Sequence, residues 1–190
     1  IPFDKLYSFP SFINFLKKNH SEILNNLVVV SPDLGGGKRA ESLVKRLSFQ
    51  EIKSEVAFGH KTREKDNEVS KNIIIGDVEN KNCLIVDDII DTGNTIIKTV
   101  DSLKSKGAKK IFVYGTHGLF TEGFDKFASV DLVLTSNTLH NEKQNNLSIV
   151  SLVNLFGEAI YRTALGESLN FLFGDHKENQ EQVSLEQYDL

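Results

Sequence analysis

The stretch Leu84-Ile85-Val86-Asp87-Asp88-Ile89-Ile90-Asp91-Thr92-Gly93-Asn94-Thr95 joins an apolar run to a small-residue loop. Cys83-Leu84-Ile85-Val86 reads as a strand covered on both faces, because no polar residue alternates with its apolar ones. Asp87 to Thr95 reads as the loop that follows. Ile96, Ile97, Val100 and Leu103 then recur at helical spacing. Gly107 supplies the helix stop, and Ile111-Phe112-Val113-Tyr114 the next strand.

A second unit of the same kind lies upstream. Leu27-Val28-Val29-Val30 is a continuous apolar run, followed by the turn Ser31-Pro32-Asp33-Leu34-Gly35-Gly36-Gly37. Ala40, Leu43, Val44 and Leu47 come next at helical spacing. Repeated strand–turn–helix units imply an α/β fold, a mostly parallel twisted sheet flanked by helices. Glu55 to Phe58, Ile73 to Ile75 and Leu132 to Leu134 supply further strands. Phe12, Ile13, Phe15 and Leu16 suggest a helix before the first strand. Residues 151–164 place Leu152, Leu155, Phe156, Ala159 and Ile160 on one face of a closing helix.

Between two strands, Gly59 to Glu68 packs His60, Lys61, Arg63, Glu64, Lys65 and Asp66 into an exposed, mobile excursion. Residues 1–174 form one domain by this reading, and 175–190 a polar, frayed tail.

Composition narrows the function classes. Hydrophobic residues are 39% and charged residues 25% of 190, ordinary for a globular chain long enough to bury a core. A formal net charge of −4 argues against a broad nucleic-acid surface, which needs a concentrated positive field. No apolar run reaches bilayer-spanning length, and no signal peptide is evident. The single cysteine, Cys83, sits in an apolar run and reads as a reduced, buried thiol of a cytoplasmic protein. The chain opens at Ile1 and lacks methionine, as expected of a trimmed or processed product.

The opening stretch carries the chemistry. Ligands of open α/β sheets bind at the C-terminal ends of strands, where Asp87 and Asp88 stand. Consecutive backbone N–H groups of Asp91 to Thr95, at a helix N-terminus, form an anion site suited to a phosphate. Thr92 and Thr95 add hydroxyl donors, while Gly93 and Asn94 tolerate unusual dihedrals. Ionised Asp87 and Asp88 only accept hydrogen bonds, which suits the vicinal hydroxyls of a ribose. A carboxylate repels a phosphate, so sugar at the strand end and phosphate at the helix end satisfies both. The plain alternative is an acidic strand end with Asp and Thr serving only as caps.

Taken together, these segments resemble ribose-phosphate pyrophosphokinases, which share the type I phosphoribosyltransferase fold. Leu84 to Thr95 is similar to the phosphoribosyl pyrophosphate loop of that fold. Val29-Val30-Ser31-Pro32-Asp33-Leu34-Gly35-Gly36-Gly37-Lys38-Arg39-Ala40 resembles the family's pyrophosphate loop. His60-Lys61-Thr62-Arg63, with Asn67-Glu68-Val69 and Gly76-Asp77-Val78, resembles its catalytic flexible loop and the strand after it. The likeness continues through Thr116-His117-Gly118 and Gly166-Glu167-Ser168-Leu169. Asn94, and Leu34 where the family usually has Ala, are departures that change no charge.

The resemblance implies transfer of a pyrophosphoryl group from Mg-ATP to the 1-hydroxyl of ribose 5-phosphate, giving phosphoribosyl pyrophosphate and AMP. It makes Lys61 and Arg63 catalytic, stabilising charge on the phosphates. Ribose 5-phosphate falls to Asp87, Asp88, Asp91, Thr92, Gly93, Asn94 and Thr95, and pyrophosphate to Asp33, Leu34, Gly35 and Gly36. Mg²⁺ or its water shell falls to Asp33. It further implies a homo-oligomer, and an N-terminal half not matched here, so that the isolated chain turns over poorly. The alternatives are a non-catalytic regulatory paralogue and a nucleobase phosphoribosyltransferase. The intact Asp-Thr-Gly-Asn-Thr and Lys61/Arg63 argue against the first. The Ser31-to-Arg39 loop argues against the second.

Overall fold

The computed structural model describes residues 5–62 and 71–173. In chain order its elements are α1 (Phe9–Asn19), β1 (Leu27–Ser31), α2 (Gly37–Phe49), β2 (Ser54–Thr62), β3 (Lys71–Ile75), β4 (Asn82–Ile90), α3 (Asn94–Ser105), β5 (Lys110–Gly118), β6 (Leu132–Ser136), β7 (Leu147–Val150) and α4 (Val153–Leu165). The strands form one sheet of order β3-β2-β1-β4-β5-β6-β7. Every neighbouring pair is parallel except β2 with β3, which form an antiparallel pair.

The order reverses between β1 and β4. The chain leaves β1 through α2 toward one side, and leaves β4 through α3 toward the other. Successive residues of a strand point to opposite faces, and the core divides accordingly. Val29, Leu84 and Val86 pack under α1, α2 and α4 with Phe12, Leu16, Leu43 and Leu155. Val28, Val30, Cys83 and Ile85 pack under α3 with Ile96, Val100, Leu103 and Phe127. Burial on both faces is why these strands read as unbroken apolar runs. Burial also pushes the Cys83 thiol up to about 12, which makes it a packing residue rather than a nucleophile. At the α1 face, Phe12 stacks on Tyr114 at 3.8 Å, and the Tyr114 hydroxyl donates to Ser8 Oγ at 2.8 Å.

Three expectations need correction. Asp87 to Ile90 are not loop but the last turns of β4, paired with β5 as far as Ile90 opposite Gly118. The sheet imposes this: β5 is as long as β4, and the N–H groups of Leu119 and Phe120 both reach Ile90 O. Leu147–Val150 is a strand that the sequence reading left out, added in parallel to β6. Phe120, Phe124 and Phe127 form a packed cluster with centroids 5.1–5.5 Å apart, and Phe127 is buried. Finally, the stripe expected on the closing helix, α4, is only partly covered. Leu155 and Ala159 are buried there, while Val153, Phe156, Ile160, Tyr161 and Leu165 face outward.

Arg63 and the charged excursion up to residue 70 lie outside the described residues, as does the tail from residue 174. Lys61 is placed by its backbone alone, on β2 opposite Asn72. Among the described residues, no helix is long and apolar enough to cross a membrane.

Candidate active site at the strand-order reversal

The crevice outside the carboxyl ends of β1 and β4 is where an open α/β sheet binds ligands. Two strand-to-helix turns meet there, and the residues expected to take pyrophosphate and sugar phosphate fall on them or on the end of β4 between them.

The first turn follows β1. Ser31 Oγ donates to Asp33 O at 2.6 Å, and Gly36 N donates to Asp33 Oδ1 at 2.9 Å. Asp33 thereby pins the turn through one carboxylate oxygen. Leu34 projects outward and adds mainly backbone. Gly36 is required by space: a Cβ there would lie 2.6 Å from Ser31 Oγ and 3.1 Å from Arg39 Nη1. Helix α2 begins directly after it, with the Gly37 amide bonded back to Leu34 O and the Arg39 amide to Gly36 O.

The second turn follows β4. Gly93 caps α3 with φ 76°, a left-handed conformation that L side chains adopt at a penalty. A Cβ at Gly93 would also lie 2.5 Å from Phe127 Cζ. The amide N–H of Asn94 donates to Thr92 Oγ1 at 3.4 Å. From across the sheet, Lys126 Nζ donates to Thr92 O at 2.8 Å, to Asn94 Oδ1 at 3.1 Å and to Glu122 Oε2 at 2.6 Å. Asn94 Nδ2 donates to the same Glu122 oxygen at 3.3 Å. Thr121 Oγ1 donates to Asp91 Oδ1 at 2.6 Å. The loop thus keeps its shape through residues that arrive from the β5–β6 connection.

Between the turns stands the acid pair. Arg39 Nη1 donates to Asp87 Oδ1 at 2.8 Å, and its Nη2 forms an ion pair with Asp88 Oδ2 at 2.8 Å. Strand β1 last pairs with β4 at Val30 opposite Ile85. Beyond that point the β1 side of β4 lies open, and Arg39 reaches across it from the first turn of α2. Asp87 also accepts from Asp88 N, and Asp88 from Ile89 N, both at 2.9 Å. Burial, followed by the neighbouring Asp88 carboxylate, pushes Asp87 up to about 6 against the pull of Arg39. Asp88 moves the other way. Its slight burial is outweighed by the contact with Asp87, by Arg39 and by the Ile89 amide, and its carboxyl lies below the usual range.

The structure therefore gathers Asp33, Gly35, Gly36, Asp87, Asp88, Asp91, Thr92, Gly93, Asn94 and Thr95 at one end of the sheet. Sequence reasoning missed Arg39, Thr121, Glu122 and Lys126. Arg39 belonged to a quoted motif, but nothing local told it from Lys38 as the residue that faces β4. The other three carry no local signal beyond Glu122 and Lys126 standing four apart. His117 is held by Thr138, whose Oγ1 is 2.8 Å from Nδ1. Among the described residues, no group of three or more His, Cys, Asp or Glu could hold a metal unaided.

The chain is 39% identical to ribose-phosphate pyrophosphokinase A of Dictyostelium discoideum, over 93% of this chain and 56% of that protein. It is 38% identical to ribose-phosphate pyrophosphokinase 2 of Saccharomyces cerevisiae, over 91% of this chain and 54% of that one. It thus spans about half the length of these relatives. The crystal structure of phosphoribosylpyrophosphate synthetase from Mycobacterium smegmatis matches with a TM-score of 0.69 at 28% identity. That match covers 84% of this chain and 51% of the other. Residues 4–120, which span both turns and the acid pair, match the phosphoribosyl transferase domain model. With that match over more than half of its length, the chain belongs to the phosphoribosyl transferase domain family.

Proposed function

We propose that this chain is the ribose-5-phosphate-binding half of a ribose-phosphate diphosphokinase, an enzyme of nucleotide biosynthesis. The observation that carries the reading is the meeting of the two turns. An acid pair suited to a sugar diol lies between a glycine-rich turn and a helix N-terminus suited to phosphates.

In this reading the 5-phosphate sits on the backbone of Asp91 to Thr95, with the hydroxyls of Thr92 and Thr95 beside it. Asp87 and Asp88 accept from the ribose hydroxyls. The 1-hydroxyl oxygen bonds to the β-phosphorus of ATP, and the bond from that phosphorus to the bridging oxygen of the α-phosphate breaks. AMP leaves with the electron pair, and the hydroxyl proton passes to solvent. Asp91, oriented by Thr121, helps align the attacking hydroxyl. Asp33 to Gly36 hold the pyrophosphoryl group. Mg²⁺ at Asp33 would neutralise phosphate charge when bound. By the family resemblance, Lys61 and Arg63 stabilise the charge that develops on the phosphates. The adenine contacts come from outside these residues, and the working enzyme is a cytoplasmic homo-oligomer.

The relatives named ribose-phosphate pyrophosphokinase, at 38–39% identity over nearly the whole chain, support this reading. Release of AMP from Mg-ATP with ribose 5-phosphate tests it in the intact protein. Lys61→Ala and Arg63→Ala are each expected to lower kcat by about 100-fold or more. An intact protein that binds both substrates and releases no AMP would favour a regulatory paralogue.

A further inference from the structure

Three hydrogen bonds and one ion pair fix the two carboxylates of β4, and one side chain supplies a hydrogen bond and the ion pair. Asp87 Oδ1 is held by Arg39 Nη1 and by the Asp88 amide. Asp88 Oδ2 is held by Arg39 Nη2, and Oδ1 by the Ile89 amide. Adjacent strand residues point to opposite faces, so the two carboxylates face a common ligand only if something draws them together. The planar guanidinium does this from the one side where β4 has no neighbouring strand. A lysine ammonium is a point charge and does not hold two acceptors in a fixed plane. The approach depends on Gly36, whose missing Cβ leaves room for Nη1.

We propose, resting on the sugar-phosphate reading above, that Arg39 is the positioning residue of the sugar site. Its fork holds Asp87 and Asp88 in the arrangement that accepts from two vicinal hydroxyls, and so sets selectivity for a 2,3-diol over a deoxy sugar. A carboxylate offers about four lone-pair sites, so the pair keeps acceptors for the sugar beyond the contacts with Arg39 and the two amides. A site that commits charged acceptors to a hydroxyl rejects a ligand lacking it, because the acceptor is then left desolvated and unpaired. Without Arg39 two neighbouring carboxylates repel, and one takes a proton or turns away.

The test is calorimetric binding of ribose 5-phosphate and of 2-deoxyribose 5-phosphate to the intact protein, as wild type, Arg39→Gln and Arg39→Lys. Wild type is expected to prefer the ribose by about tenfold or more, the range of a hydrogen bond to a charged group. Arg39→Gln is expected to lose that preference to within about threefold, mainly through weaker ribose binding. Arg39→Lys keeps the charge without the fork and is expected to resemble the glutamine variant. It carries the test if Arg39→Gln fails to fold.

A wild-type preference that survives in Arg39→Gln, with only a lower Tm, overturns the inference and leaves the sugar site standing. Full recovery in Arg39→Lys overturns it too, since charge alone would then suffice. A wild type that binds neither sugar phosphate removes the reading of the site, and this inference with it.

Discussion

The two turns that meet between β1 and β4 are built by opposite means. The turn after β1 is closed by its own residues, Ser31, Asp33 and Gly36. The turn after β4 is held from outside, by Lys126, Glu122, Thr121 and the ring of Phe127. A self-closed turn keeps its shape wherever its short sequence is placed. A turn held from outside depends on the β5–β6 connection being docked, so its geometry is a consequence of the fold. The acid pair joins them, since Arg39 from the first turn's helix grips the strand that leads to the second.

Substitution at the glycines offers the hardest break in that contrast. Gly93→Ala adds a left-handed penalty of about 1–2 kcal/mol to an overpacking term of about 1–3 kcal/mol against Phe127. Urea denaturation should therefore show a loss of about 3 kcal/mol. Adding Phe127→Leu should return only the overpacking part. Full recovery in the double variant would mean that φ carries no penalty, contrary to the positive φ at Gly93.

The joining element gives the next effect, read in pH. Asp87 has a folded pKa raised to about 6, with Arg39 from α2 and Asp88 from its own strand as the charges set against it. A raised carboxyl favours the folded state while protonated. Its contribution is thus present below about pH 4 and lost as pH rises through about 6. Asp87→Asn should flatten that segment of the stability profile. Ribose 5-phosphate affinity should move oppositely and strengthen as Asp87 ionises through the same window. A carboxyl signal titrating near 4 in NMR would refute both.

Within the first turn, Gly36→Ala should cost about 1 kcal/mol, because its Cβ displaces the Ser31 hydroxyl from Asp33 O. Ser31→Ala in the same chain should make the second substitution cheaper, a coupling that a double-mutant cycle measures. Lys126→Ala should lower stability least, by about 1 kcal/mol or less, since Glu122 is exposed. It is nonetheless expected to weaken phosphate binding several-fold by loosening Thr92 and Asn94. An effect on stability alone would make Lys126 a structural residue and erase the distinction between the turns.

Much of this was legible in the chain itself. The apolar runs at Leu27 to Val30 and Cys83 to Val86, their glycine-bearing turns and the stripes of α2 and α3 determined the α/β class. They also placed Asp33, Asp87 and Asp88 at strand ends. These are short-range facts: burial on both faces removes alternation, and glycine marks a turn. The end of β4 was decided by the tertiary structure, because hydrogen bonds from β5 carry the strand through residues with turn-like composition. Strand β7 was read as no element, since its four residues gain their pairing only from β6. The outward face of α4 was likewise not to be read from its spacing, because period tells which residues share a face but not which stripe the sheet covers. Arg39, Thr121 and Lys126 lie 30 to 48 positions from the side chains or carbonyls they hold. Sequence supplied the acids and the glycines; the fold supplied their partners, because charge pairing across a sheet depends on proximity in space that no local pattern encodes.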